Sequence, residues 1–185
     1  MARDCQPIWQ IVPATAAMLP GILELEEACF SAPWTRKMLE AELTGNQFAH
    51  FLVATVQQES ESQVRTVVGY HCFWIVFEEL RLMNLAVHES MRGRGIGRAL
   101  ATEAIALGLA HTATRAVLEV RASNEPAQRL YRQLGFAPIS TRRSYYTNPL
   151  EDALLMEMDP LVVPASSRHT RVMTGGEGSI PAELT

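Results

Sequence analysis

At 185 residues the chain has the length of one globular domain with a short appendage, because single cores form at roughly 100–200 residues. A composition of 48% hydrophobic and 19% charged residues excludes a wholly disordered chain, and a formal net charge of −4 argues against a nucleic-acid binder, which presents surplus Lys and Arg to phosphate. The average hides a pattern: residues 1–91 carry 5 basic and 11 acidic groups, residues 92–143 carry 9 and 3, and residues 144–185 carry 2 and 6.

Asp4, Gln6 and Gln10 interrupt the apolar residues at the N-terminus, so no signal peptide is expected, and no later run reaches the roughly 18 apolar residues of a membrane span. Cys5, Cys29 and Cys72 are odd in number and lack C-x-x-C spacing, which predicts neither a disulfide framework nor a zinc site and suits a reducing cytoplasm. Residues 7–12 read as a first strand. A helix is expected over residues 14–30, where Met18, Ile22, Leu25 and Cys29 recur at helical spacing, with Pro20 and Gly21 weakening its first turn. Ser31, Ala32, Pro33 and Trp34 break it, and Thr35 is placed to cap a second helix carrying Met38, Leu39 and Leu43 and stopping at Gly45-Asn46. The runs 51–56, 66–77 and 82–87 read as an antiparallel meander. Residues 95–111 then read as a long helix, 117–120 as a strand, 124–134 as a helix ended by Gly135, and 138–146 and 153–158 as two closing strands. Ala127, Leu130, Tyr131 and Leu134 follow helical spacing, which puts Tyr131 on the inward stripe. There is no internal repeat. The 26 residues from Pro160 hold 3 Pro, 3 Gly and 3 Ser without periodicity, so the chain divides into a domain over 1–159 and a flexible tail over 160–185.

Three segments carry chemistry. In Leu85-Ala86-Val87, followed after a short loop by Arg92-Gly93-Arg94-Gly95-Ile96-Gly97-Arg98, a strand, three alternate glycines and a helix start let backbone N–H groups approach a phosphate. The glycines match neither G-x-G-x-x-G nor the P-loop, and a tight connection alone would also explain them; the three arginines favour an anion. Glu119 interrupts an apolar strand opposite the face of Leu118 and Val120, either in a catalytic role or as the ion-pair partner of a neighbour such as Arg121. Tyr131 lies two helical turns after Asn124 and points back toward that strand, where a core tyrosine with a bonded hydroxyl is the commoner explanation.

In this order and spacing the segments resemble the GNAT superfamily of acyl-coenzyme A N-acyltransferases. Arg92-x-x-Gly95-x-Gly97 is similar to its pyrophosphate loop, and Asn124 with Leu130-Tyr131-x-x-Leu134-Gly135-Phe136 to its second coenzyme A signature. Pro33-Trp34, Asn84 through Val87, Glu119 within Leu118-x-Val120-Arg121, Arg142-Arg143-Ser144-Tyr145-Tyr146 and Glu151-Asp152-Ala153 resemble the branch of ribosomal-protein-alanine N-acetyltransferases (RimI type). The resemblance spans about residues 7–159.

It implies an α/β fold with a mixed α+β sheet, splayed between its fourth and fifth strands to admit acetyl-CoA, with no metal. Leu85, Ala86 and Val87 would pair with the pantetheine arm, Arg92, Gly93, Arg94, Gly95, Ile96, Gly97 and Arg98 would hold the pyrophosphate, and Asn124 would contact the lower arm. Glu119 would be the general base and Tyr131 the general acid. The expected acceptor is the N-terminal alanine of a small-subunit ribosomal protein, met by a monomer in the cytoplasm, with Trp34, Tyr145 and Tyr146 walling a slot for it. Glu24, Glu26, Glu27, Glu40 and Glu42 either attract a basic acceptor or form solvated helix faces. The connection from Thr147 to Leu150 is short by about two residues for the family. Lysine side chains or small amines are the alternative acceptors, and a non-catalytic acyl-coenzyme A sensor is a third reading.

Overall fold

Helix α1 (Leu19–Cys29) starts late because of Pro20, which has no N–H to donate and is accommodated only in a first helical turn. The residues expected as its opening turn form a 3₁₀ turn, Ala16–Met18, instead. Helix α2 (Arg36–Glu40) is capped as expected, the Thr35 hydroxyl accepting the Met38 N–H at 3.4 Å. It does not run as one α-helix to Gly45, because Ala41–Gly45 widens into a π turn. The computed structural model describes residues 8–57 and 65–164; Cys5 and the greater part of the expected tail, residues 165–185, lie outside the described residues.

The strands are β1 (Trp9–Pro13), β2 (Ala49–Gln57), β3 (Arg65–Val76), β4 (Glu79–Val87), β5 (Arg115–Arg121), β6 (Ala137–Thr147) and β7 (Leu150–Met158). They form a seven-stranded mixed sheet in the order β1-β2-β3-β4-β5-β7-β6. Antiparallel pairing from β1 to β4 is the predicted meander. The crossover from β4 to β5 is made by helix α3 (Ile96–Ala110), so β4 and β5 run parallel. Helix α4 (Glu125–Leu134) follows β5, its start fixed by Asn124, whose side chain accepts the Ala127 N–H at 3.2 Å, and its end by Gly135 at φ 107°.

The sheet divides the core. On one face Leu80, Leu100, Ile105, Leu118, Tyr131 and Met156 pack with α3 and α4; on the other Ile22, Leu25, Leu39, Val53 and Tyr70 pack with α1 and α2. Each large apolar side chain removed from water in this way contributes about 1.5–3 kcal/mol before entropy is counted. Leu161 belongs to the first core, 5% exposed, and its N–H donates to the Thr114 carbonyl at 2.6 Å. The packed chain therefore runs past the boundary expected at residue 159, because one apolar side chain fits beside the start of β5.

Glu26 corrects the expectation of an acidic helix face. It is fully buried, and its carboxylate accepts the Tyr70 hydroxyl, Asn84 Nδ2 at 2.8 Å and the Trp34 N–H at 2.7 Å. Burying a carboxylate is costly unless its oxygens are bonded, and these three donors tie α1 to β3, β4 and the loop before α2. Glu42 is likewise engaged, by Trp74 Nε1 at 2.9 Å and Asn46 Nδ2 at 2.8 Å.

Candidate active site

Strands β4 and β5 pair only from Glu79↔Arg115 to Leu82↔Leu118. Beyond that point residues 84–87 pair with β3 alone, while β5 continues from Glu119 to Arg121 against β7. The sheet opens there, and the edge of β4 that includes Leu85, Ala86 and Val87 faces the opening without a strand partner among the described residues. An extended amide-bearing chain can bond to such an edge as a strand does.

The loop after β4 leads into α3 through two left-handed residues, Gly93 at φ 76° and Gly95 at φ 81°, which an L side chain adopts only with strain. Gly95 is the N-cap and has no side chain to bond the first N–H groups of a fifteen-residue helix, so the donors of Ile96, Gly97 and Arg98 remain available to an anion. The three arginines differ in occupation. Arg92 Nε donates to the Val87 carbonyl at 3.1 Å, and Arg98 Nη1 to Gln133 Oε1 at 3.1 Å. Arg94 has no hydrogen bond or ion pair among the described residues. The donor set fits a pyrophosphate, with Arg94 as its uncommitted cation. Asn124 is exposed and its Oδ1 caps α4, which leaves its amide N–H groups for a ligand.

Glu119 is on the face of β5 opposite Leu118 and Val120, as alternation requires. Its carboxylate is ion-paired, but with Arg142 and not with Arg121: Arg142 Nη1 stands 2.8 Å from Oε1, and the Tyr145 hydroxyl donates to Oε2 at 3.0 Å. Tyr145 reaches it because β6 breaks register between Arg142 and Tyr146. Ser144 there adopts φ 51°, and its N–H donates to Asp152 Oδ1 at 2.8 Å. Burial and then the bond to Glu119 raise the Tyr145 hydroxyl above its ordinary range, so it remains a donor.

Tyr131 is buried at 7% exposure, with its ring edge-on to Phe136 at 5.7 Å. Burial first, then the nearby Tyr146 hydroxyl, push its ionisation above the ordinary value. Tyr146 lies under the Arg121 guanidinium, 4.0 Å from ring centroid to Cζ, and edge-on to Tyr145 at 5.2 Å. Trp34, half-buried against the α1 and α2 core, is held by its N–H on Glu26.

Reading the sequence missed the roles of Arg142, Asp152, Glu151, Ser31 and Asn148. Glu151 Oε2 pairs with Arg121 at 3.1 Å and its Oε1 accepts the Ser123 N–H at 2.5 Å. The signal lay in Arg142 through Tyr146 and in Glu151-Asp152-Ala153, whose spacing set these residues across one hairpin. Among the described residues no three His, Cys, Asp or Glu side chains are grouped as metal ligands.

The Acetyltransferase (GNAT) family matches residues 19–136, which take in the open sheet, the glycine loop and Tyr131. The chain belongs to that family and is an acetyl-CoA-dependent N-acetyltransferase with a GNAT fold. A [ribosomal protein bS18]-alanine N-acetyltransferase of Escherichia coli (strain K12) is 31% identical over 142 residues, covering 76% of this chain and 90% of its own. A Bacillus subtilis (strain 168) protein provisionally named for the same activity is 37% identical over 135 residues, 73% of this chain and 85% of its own. The crystal structure of the ribosomal-protein-S18-alanine N-acetyltransferase from Escherichia coli superposes with a TM-score of 0.72 at 26% identity, over 89% of this chain and all of that one. Arabidopsis thaliana NAA60 in complex with acetyl-CoA shares the fold, with a TM-score of 0.74 at 18% identity over 82% of this chain and 98% of its own. No helix among the described residues is long and apolar enough to cross a membrane.

Proposed function

We propose that the chain acetylates the α-amino group of an N-terminal alanine on a small-subunit ribosomal protein, in the cytoplasm. The relatives named for bS18 support this acceptor, and the basic tails common in ribosomal proteins suit the exposed Glu24 and Glu27 of α1. The observation that carries the chemistry is the Glu119 carboxylate, held by two donors at the mouth of the β4–β5 opening.

An α-amino group titrates at about 7.7–8.0, so only a modest base is needed to expose its lone pair near neutral pH. Glu119 takes that proton, directly or through a water, as the nitrogen attacks the thioester carbonyl. Backbone N–H groups at the free edge of β4 near Val87 face the developing oxyanion. Tyr131 serves the departing sulfur. Its raised ionisation keeps the proton in place, and the hydroxyl acts first as a hydrogen-bond donor to the thiolate. Arg94 with the N–H groups of Ile96, Gly97 and Arg98 binds the pyrophosphate, and Asn124 the lower arm. Neither Cys29 nor Cys72 is needed: burial raises the Cys72 thiol far from thiolate formation, and Cys29 Sγ donates to the Val87 carbonyl at 3.7 Å.

Two measurements test the reading. The purified protein with acetyl-CoA should acetylate a peptide beginning with Ala and leave an N-blocked, lysine-containing version unmodified; the reverse preference would assign it to lysine or small amines. Mass spectrometry of ribosomal proteins from cells lacking the chain should show the loss of one N-terminal acetyl group, and an unchanged set would remove the acceptor.

A further inference from the structure

The Arg121 guanidinium joins three elements. Placed two residues after Glu119, it shares that residue's face of β5. Nη1 pairs with Glu151 Oε2 at 3.1 Å on β7. Nη2 donates to Ser31 Oγ at 3.0 Å in the α1–α2 loop and to the Asn148 carbonyl at 2.9 Å in the β6–β7 turn. The two loops also bond each other: Ser31 Oγ donates to the Asn148 carbonyl at 2.6 Å, and Asn148 Nδ2 to the Ser31 carbonyl at 3.0 Å. The guanidinium rests on the ring of Tyr146 and its side chain is 22% exposed, while Ser31 and Asn148 lie at the surface, so the planar fork and the Tyr146 ring, rather than burial, hold the geometry.

The position of this cluster gives it a role beyond stiffening. Ser31 precedes Trp34 by three residues, and Asn148 follows Tyr146 by two, so the clasp lies between the two segments read as walls of the acceptor slot. The short β6–β7 connection places the Asn148 carbonyl within reach of Ser31. Glu26 anchors the same loop from below through the Trp34 N–H. One wall thus hangs from a buried carboxylate and is tied to the other wall by Arg121.

We infer that the Arg121–Ser31–Asn148 latch is a specificity device: it fixes the width of the slot and thereby selects a small first side chain on the acceptor. Arg121 acts through the two loops and is a positioning residue. The inference rests on the acceptor reading above and deepens it. A loosened latch admits larger first residues, whereas the acetyl-CoA half of the site, built from β4 and α3, is unaffected.

The test uses the full chain with peptides identical except for the first residue, Ala, Ser, Leu or Met. Arg121→Lys keeps the charge toward Glu151 but loses the planar fork, and Ser31→Ala, at an exposed position, removes one hydroxyl from the clasp. In both, the preference in kcat/KM for Ala over Leu should fall by about tenfold, the worth of a modest pocket contact, through the peptide KM, with the acetyl-CoA KM unchanged. An unchanged preference in Ser31→Ala, with wild type active on the Ala peptide, overturns the latch and leaves the acceptor reading standing. Should Arg121→Lys not fold, Ser31→Ala and Asn148→Gly decide alone. Wild type inactive on all four peptides overturns the acceptor reading, and the latch with it.

Discussion

The Tyr145 hydroxyl donates to Glu119 Oε2 at 3.0 Å, across an interval of 26 residues that holds α4 and the irregular part of β6. With Arg142 on the other oxygen, the carboxylate is oriented before an amine arrives. Glu119→Gln should therefore lower kcat by roughly 10²-fold while keeping acetyl-CoA affinity, the usual effect of losing a general base. Steady-state kinetics with an Ala-first peptide, alongside calorimetry with acetyl-CoA, check it; wild-type turnover removes Glu119 from the proton path.

Tyr131→Phe separates donor from core packing, since the phenyl ring keeps the contact with Phe136 and only the hydroxyl is lost. The expected result is a kcat lower by about 10²-fold with little loss of thermal stability. Because burial and Tyr146 raise the hydroxyl's ionisation above 10, its proton stays bound from pH 7 to 10, and kcat should show no alkaline fall from this residue. An alkaline fall in wild type that vanishes in Tyr131→Phe would contradict that order.

Arg94→Ala is expected to weaken acetyl-CoA binding about tenfold and to leave peptide KM unchanged, because this is the arginine of the loop with no partner among the described residues. Arg92→Ala should instead loosen the loop itself, which its bond to the Val87 carbonyl holds, and lower thermal stability. Equal cofactor affinity in Arg94→Ala and wild type would move the phosphate contact elsewhere.

His71 sets a pH dependence of folding away from the site. It is fully buried beneath α3, with Nδ1 at 3.4 Å from the Leu100 carbonyl and Nε2 without a partner among the described residues. Burial pushes its ionisation down to about 4 from 6.5. The unfolded chain therefore binds a proton between those values that the folded chain refuses. Its contribution is present in full above pH 6.5 and is lost as pH falls toward 4, a difference of about 3 kcal/mol. Urea unfolding across pH 4–7 should show this slope in wild type and a shallower one in His71→Leu; parallel curves would place the titration elsewhere.

The order of elements was legible in the sequence because it is a local property. Hydrophobic period, the caps at Thr35, Asn124 and Gly135, and the alternate glycines before α3 each act within a few residues. The limits of α1 and α2 were less so: Pro20 marked a weakened first turn, but the 3₁₀ turn at Ala16–Met18 and the π turn at Ala41–Gly45, which packs against β2, arise only in the fold. Glu26 is the clearest case: by spacing it reads as one acid of a solvated face, and in the fold three donors from distant segments bury it.

By itself the sequence determined the order of strands and helices, and through the family resemblance it implied a mixed sheet, a candidate anion loop between Leu85 and Arg98, and Glu119 and Tyr131 as the chemical candidates. The basic block it shows at residues 92–143 acquires separate jobs only in three dimensions. Arg94 has no hydrogen bond or ion pair among the described residues, Arg142 pairs with Glu119, Arg121 clasps two loops, and Arg92 and Arg98 bond within the protein. Charge and residue type are written along the chain, whereas the partner of each charge is set by which loops the open sheet brings within about 3 Å, a range over which hydrogen bonds act.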